Sequence, residues 1–129
     1  MRRLALSRLA ALFVAMLVPQ LSLAAVPAEF SETAFATAQA LGRTIVIETY
    51  AYWCLPCRIQ APILDHLHSR DPFRQVMVLR IGEKAPSATW KRFRLHGFGN
   101  LVIFKGSREM ARGTPTSESA IADLLSRGL

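Results

Sequence analysis

The sequence predicts an α/β domain with one central mixed β-sheet and helices on both of its faces. Two observations predict this fold class. Short runs of β-branched or aliphatic residues alternate with amphipathic stretches of helical period, and capping or turn residues lie at their boundaries. Their order is helix, strand, helix, strand, helix, strand, strand, helix, which is typical of one mixed sheet covered by helices.

The first two predicted elements are a helix and a buried strand. Ser31 is a favourable N-cap for the helix, and Gly42 can end it. Its predicted buried side consists of apolar residues at helical spacing: Phe35, Ala38 and Leu41. Residues 44–50 are rich in β-branched side chains, so we expect a buried strand there.

The next two elements repeat this pattern. We expect a helix over residues 57–69, which ends before the Asp71-Pro72 step. The apolar stripe predicted for this helix is Ile59, Ile63 and Leu67. Residues 76–81 are almost entirely aliphatic and predict the second strand.

The C-terminal third predicts a helix, a hairpin and a final helix. The helix covers about residues 86–96, and Trp90 and Phe93 lie on one side of it. Residues 101–105 predict a strand whose hairpin partner is 109–112. The last helix is capped by Ser117 and has this predicted buried face: Ile121, Leu124 and Leu125.

The first 24 residues have the pattern of a secretory signal. They start with positive charge, residues 9–18 are an unbroken apolar run of ten, and small residues precede position 25. We expect cleavage after Ala24, which leaves residues 25–129 as one domain. The alternative is a retained membrane anchor, although ten apolar residues are too few to span about 30 Å of hydrocarbon.

The charge of the chain does not indicate a nucleic-acid partner. The signal carries three of the sixteen basic residues, so thirteen remain against nine acidic ones and the net charge falls from +7 to +4. The remaining bases are scattered except at residues 91–94, which we interpret as the solvated face of a helix. We expect a monomer without a bound cofactor or metal.

The most informative feature is the pair Cys54 and Cys57, the only cysteines in the chain. A bridge that closes so short a loop would constrain the unfolded chain little, so the pair indicates redox chemistry rather than stabilisation. Cys54 at the start of a helix would have a stabilised thiolate, and Cys57 one turn later would be shielded. Pro56 lacks an N–H group and suits the first helical turn.

Glu48 is a carboxylate within an apolar strand, where its pKa should be high. Strand alternation places it on the same face as Val46 and Tyr50. If that face lies under the second helix, Glu48 can exchange a proton with Cys57, through water if necessary. The alternative is a glutamate that faces solvent near a sheet edge.

Residues 49–67, TYAYWCLPCRIQAPILDHL, resemble the active-site segment of the thioredoxin family. The resemblance continues through Phe104-Lys105 and covers about residues 30–125. It implies a thioredoxin-like fold, with Cys54 as the attacking thiol, Cys57 as the resolving thiol and Glu48 at the family's buried acid position. It also places Arg80 near a family lysine that neighbours the acid.

Two positions depart from the family pattern. Leu55 replaces the glycine between the cysteines, so the resemblance does not give the redox potential. Gly99 stands where the family has a cis-proline opposite the cysteines. A cis bond without proline costs about 3 kcal/mol, so we expect a trans peptide at Gly99 or a different loop. In the family this backbone pairs with the client, and the substrate-binding candidates are Trp53, Pro56, Phe98 and Gly99.

The sequence therefore predicts a periplasmic or secreted thiol–disulfide oxidoreductase that acts on protein clients. Trp53 and the buried acid resemble reducing members, so we expect a reductant that receives electrons from a membrane relay. A first alternative is a metal-binding or metal-delivery protein that uses Cys54, Cys57 and His96. A second is an adaptor with weak catalysis, in which Gly99 has removed client turnover.

Overall fold

The computed structural model describes residues 27–129. The predicted signal, residues 1–24, lies outside the described residues, as does the proposed cleavage after Ala24. Within residues 27–129, every helix is too short or too polar to cross a membrane.

The described chain forms a five-stranded mixed sheet with four α-helices. The elements follow this order: β1 (Ala28–Glu29), α1 (Glu32–Ala40), β2 (Thr44–Thr49), α2 (Leu55–His68), a 3-10 turn (Phe73–Gln75), β3 (Met77–Ile81), α3 (Ser87–Arg92), β4 (Leu101–Lys105), β5 (Arg108–Gly113) and α4 (Glu118–Ser126). The strand order is β1-β3-β2-β4-β5. Pairings of β1 and β2 with β3 are parallel, and those of β4 with β2 and β5 are antiparallel. The predicted fold class is confirmed.

The central strand β2 separates two cores. Ile45 and Ile47 pack on one face against α1 and the end of α3, together with Phe35 and Phe93. Val46 packs on the other face with apolar residues of α2 and α4. Helices therefore cover both faces of the sheet, and α2 lies on the face that also receives the Glu48 side chain.

Three local predictions were wrong, and each has a physical reason. Leu41 is 70% exposed because α1 ends at Ala40, and only Phe35 and Ala38 of the predicted stripe are buried. Helix α3 ends at Arg92 rather than near residue 96, because the chain leaves the helix at Phe93 and Arg94 has a φ of 52°.

The third wrong prediction concerns the phase of α2. Leu67 is buried as predicted, but the rest of the buried stripe is one position away from the predicted one: Cys57, Gln60 and Leu64. Ile59 lies outside this stripe and is exposed. The prediction assumed that apolar residues of α2 are buried and polar ones are not. In the structure the apolar Ile59 is exposed, whereas Gln60 is buried next to Cys57.

Candidate active site

The cysteine pair lies where the loop after β2 meets the first turn of α2. Cys54 is the N-cap of α2, and its Sγ accepts a hydrogen bond from the main-chain N–H of Cys57 at 3.3 Å. The two residues form a disulfide. Cys54 is 6% exposed and Cys57 is 1% exposed, so Cys54 is the more accessible residue of the pair. This geometry favours a thiolate at Cys54 in the reduced form, because unpaired N–H groups surround the helix start.

The sulfur of Cys57 contacts the strand that precedes it. Its Sγ lies 3.4 Å from the main-chain oxygen of Thr49. In the reduced form a Cys57 thiol can donate its proton to this oxygen. Pro56 is the second residue of α2 and is exposed beside the pair, at a position where a missing N–H group costs no intrahelical hydrogen bond.

Glu48 lies under α2, as predicted for the face it shares with Val46. It lines a narrow cleft with three α2 residues, Ala61, Leu64 and Asp65. Its side chain is almost fully buried, and burial raises the pKa of Glu48 above its ordinary value near 4.5. The prediction of a high pKa agrees with this direction, and the solvent-facing alternative is wrong.

Arg80 partly opposes that shift. It stands opposite Glu48 in the parallel β2–β3 register, and its Nε lies 2.6 Å from Glu48 Oε1. This charge lowers the pKa of Glu48, although the effect of burial is larger. The guanidinium carbon also lies 3.8 Å from the ring centroid of Tyr50. The resemblance placed Arg80 near the acid, and the structure shows a direct ion pair.

Gly99 faces the cysteines, as the resemblance implied, but its backbone differs from that of a proline. Its peptide bond is trans and its φ is +83°, whereas proline fixes φ near −65°. A Cβ at this position would lie 3.2 Å from Pro56 Cβ and 3.9 Å from Cys54 Sγ. Glycine therefore permits both the left-handed backbone and the close approach to the pair.

Three aromatic side chains, those of Trp53, Phe98 and Trp90, pack together at this loop. The Phe98 ring contacts Trp53 and Trp90, each at 5.1 Å between centroids in edge-to-face geometry. Trp53 is 57% exposed, and its Nε1 donates to Glu83 Oε1 at 2.6 Å. Trp53 and Phe98 thus lie together beside Cys54, as expected for substrate-binding candidates.

Gln60 is a polar residue of the site that the sequence analysis missed. It is 1% exposed on the buried stripe of α2, one turn after Cys57. Its Nε2 donates to the main-chain oxygens of Gly99 at 2.8 Å and Pro115 at 2.9 Å. The signal was present in the sequence, because a helix that buries Cys57 and Leu64 also buries position 60.

The structure does not bring together the ligands of the alternative metal site. His96 is exposed, and residues 27–129 contain no group of three His, Cys, Asp or Glu side chains arranged to hold a metal ion. The hypothesis of a metal site formed by Cys54, Cys57 and His96 therefore has no support from this geometry.

Comparison with known proteins identifies the family. Residues 26–127 match the sequence model of the thioredoxin family. The chain belongs to the thioredoxin family. The thioredoxin of Chlamydia muridarum is 28% identical to it over 82 residues, which cover 64% of this chain and 78% of that protein. The thioredoxin of Chlamydia pneumoniae is 29% identical over 68 residues, or 53% of this chain and 65% of that protein.

A solved structure has the same fold as this chain over nearly the whole length of the solved protein. Trxlp from Edwardsiella tarda EIB202 superposes with a TM-score of 0.71 and 30% identity, over 75% of this chain and 95% of that one. Members of the thioredoxin family are thiol–disulfide oxidoreductases, and this chain has the redox cysteine pair at the expected place. The predicted enzyme class, a thioredoxin-like protein-disulfide oxidoreductase, is confirmed.

Proposed function

We propose that this protein is an exported thiol–disulfide oxidoreductase that reduces disulfides in protein clients. The observation that carries the proposal is the Cys54–Cys57 disulfide at the N-terminus of α2, with Cys54 as the more exposed residue. The fold supplies a helix end that stabilises a thiolate, and the family supplies the reaction class.

The reaction proceeds through two thiol–disulfide exchanges. The Cys54 thiolate attacks one sulfur of a client disulfide, forms a mixed disulfide and releases the other client sulfur as a thiolate. Cys57 then loses its proton and attacks the Cys54 sulfur. This step forms the Cys54–Cys57 disulfide and releases the second client thiolate. The client gains two electrons, and the protein loses two.

Glu48 is the proposed proton acceptor for Cys57. It lies under the helix that carries Cys57, and Ala61, one turn after that cysteine, lines the same cleft. Because burial raises its pKa, Glu48 can take up a proton closer to neutral pH than an exposed glutamate can. Arg80 limits this rise by its ion pair with the carboxylate.

The proposed client surface surrounds Cys54. Tyr52, Trp53 and Leu55 are exposed apolar side chains there. Within the described part of the chain, the main-chain N–H and C=O groups of Phe98 have no hydrogen-bond partner. An extended client segment can pair with these groups while its disulfide meets Cys54. Gly99 and Pro56 are the remaining residues of the proposed client surface.

Export and the source of electrons are further parts of the proposal. Residues 1–24 have the sequence pattern of a secretory signal. An oxidising compartment would hold the pair as a disulfide, so a reductase there requires an electron donor. We assign this role to a thiol relay in the membrane, and we propose that the protein acts as a monomer.

The test of the activity is reduction of insulin disulfides with dithiothreitol as the electron donor. We expect wild-type protein to accelerate insulin precipitation and Cys54→Ser to reduce the rate to that of dithiothreitol alone. The matched variant Cys57→Ser, reduced and then freed of dithiothreitol before insulin is added, should form a mixed disulfide with the client, which non-reducing electrophoresis detects. If Cys54→Ser retains the wild-type rate, the assignment of the attacking thiol is wrong.

The direction of electron flow is tested by the reduction potential of the pair. A value near that of thioredoxin, roughly −270 mV, supports the reductant, and a value near roughly −120 mV indicates an oxidant. Export is tested separately by cell fractionation and by mass spectrometry of the N-terminus. We expect the mature chain to begin after Ala24; an intact N-terminus would contradict cleavage.

A further inference from the structure

Gln60 connects three segments of the domain through one buried amide group. Its Nε2 has two N–H donors, and each is used on a main-chain oxygen, that of Gly99 and that of Pro115. Gly99 belongs to the loop before β4, and Pro115 belongs to the loop between β5 and α4. Helix α2 thereby holds both loops from the same turn that follows Cys57.

The Gly99 peptide is held from its other side by β2. Its N–H donates to the Thr49 oxygen at 3.0 Å, the same oxygen that lies 3.4 Å from Cys57 Sγ. Gln60 and Thr49 therefore fix the carbonyl and the N–H group of a glycine, a residue whose backbone is otherwise unusually free.

No proline ring restricts the chain at position 99. The Thr49 hydroxyl also holds the flanking residues, because it donates to the Gly97 oxygen at 3.0 Å and accepts from the Asn100 N–H at 2.9 Å. Gln60 therefore supplies the hold on the Gly99 carbonyl, and Thr49 supplies the rest.

The neighbouring Phe98 peptide depends on this arrangement. Its main-chain groups, which have no hydrogen-bond partner among residues 27–129, are the proposed pairing site for the client, and its ring lies between Trp53 and Trp90. The aromatic contacts restrain the side chain of Phe98, whereas Gln60 and Thr49 restrain the adjacent main chain. A shift of the Gly99 carbonyl would move the client-pairing groups relative to Cys54.

We infer that Gln60 is a positioning residue for the reaction with protein clients. It holds the main chain of residues 98–99 in the position at which an extended client segment can pair with it and reach Cys54. This inference rests on the proposed function. A side chain of helix α2 thus helps to determine the position of a loop that has no proline to restrain it. Gln60 does not react with the client, and its effect should be confined to substrates that pair with the Phe98 main chain.

The test compares two substrates in the Gln60→Met variant, which keeps the side-chain length and removes both donors. One substrate is a disulfide-linked peptide client, and the other is bis(2-hydroxyethyl) disulfide, which has no peptide backbone. We expect KM for the peptide to rise about tenfold, the change produced when an equilibrium loses one net hydrogen bond. We expect kcat for the peptide and the rate with the small disulfide to stay within about twofold of wild type, and the reduction potential to stay unchanged.

The matched control is Gln75→Met, the same chemical change at an exposed glutamine in the 3-10 turn. It should leave both substrates unaffected. Equal losses with both substrates in Gln60→Met, or no change with either, would overturn the inference. If Gln60→Met does not fold, Gln60→Asn carries the test under the same criteria, because its shorter amide withdraws from both oxygens. Wild-type protein that reduces neither substrate would instead refute the proposed function.

Discussion

The two faces of the sheet differ in the chemistry of what they bury. The face covered by α1 and α3 is apolar and strongly aromatic, and Phe35, Phe93 and Phe104 form edge-to-face contacts within it. The face covered by α2 and α4 has a similar aliphatic core but also buries Glu48 and Gln60. Gln60 belongs to the helix that begins at the cysteine pair, and Glu48 lies under that helix.

This difference indicates a division of roles between the faces. Buried polar groups cost free energy unless they are paired, so a domain selected for stability alone would not require them. The other buried polar residues of the described chain are threonines, whereas Glu48 and Gln60 lie on the face that carries the redox pair, where one can handle a proton and the other can hold a loop. We therefore expect changes on the aromatic face to alter stability, and changes on the cysteine face to alter activity more than stability.

The largest expected loss of stability is that of Phe35→Ala. The Phe35 ring contacts the rings of Phe30, Phe93 and Phe104 at centroid distances between 5.2 and 5.8 Å, so its removal leaves a cavity in the aromatic core. We expect the free energy of unfolding to fall by about 3–5 kcal/mol in urea titrations. The rate with a small disulfide, per folded molecule, should stay within about twofold. The control Leu41→Ala removes an exposed side chain and should change stability by less than about 0.5 kcal/mol.

A proline at position 99 should reduce activity with protein clients. Gly99 has a φ of +83° and donates its N–H to Thr49, and proline can do neither. We expect Gly99→Pro to destabilise the protein by about 1–3 kcal/mol and to lower peptide reduction by a larger factor than reduction of a small disulfide. This expectation opposes the adaptor hypothesis, under which proline at position 99 would raise turnover.

Alanine variants separate crowding from backbone strain at this loop. Gly99→Ala would place a Cβ 3.2 Å from Pro56, whereas Gly97→Ala, also at positive φ, has open space around its Cβ. Stability should fall in both variants, but peptide reduction should fall more in Gly99→Ala. Equal activity in the two variants would show that close packing against Pro56 has no part in client exchange.

Replacement of Glu48 should remove a pH dependence from stability. Because the pKa of Glu48 is raised in the folded protein, the folded state keeps a proton that the unfolded chain releases above about pH 4.5. The free energy of unfolding therefore declines as pH rises between the unfolded and the folded pKa, by at most about 1.4 kcal/mol per pH unit. Glu48→Gln should lack this decline in urea titrations from pH 4 to 8. The exposed control Asp123→Asn should keep it.

The sequence was sufficient to predict the redox pair and the strand that precedes it. The β-branched run of β2, the place of Cys54 at the start of a helix and the alternation that places Glu48 under α2 are local patterns, and the structure agrees with each. Strand β1 was not predicted because two residues are too few to show a period. The role of Gln60 depends on the loops that fold back onto α2, and local sequence does not contain that information.

The geometry of Gly99 was also beyond local inference. Alignment with a known segment placed this residue opposite the cysteines, and the energetic cost of a cis bond predicted a trans peptide, as observed. Its positive φ, however, follows from hydrogen bonds to Thr49 and Gln60, which lie 50 and 39 positions away in the chain. Glycine allows many conformations, so only its tertiary partners determine which one it adopts.

The smallest expected effect concerns Glu109, at the rim of the aromatic face. Arg112 bonds to its carboxylate at 2.7 Å and, together with Arg94, lowers the pKa of Glu109. Its stabilising effect is therefore complete above about pH 4.5 and is lost as pH falls through the lowered pKa, opposite in sign to that of Glu48. Because the pair is partly solvated, Glu109→Gln should cost less than about 1 kcal/mol at pH 7 and nothing measurable at the lowest pH where the protein is folded. A loss that instead grew toward low pH would show that Glu109, like Glu48, prefers its protonated form, and the contrast between the two carboxylates would disappear.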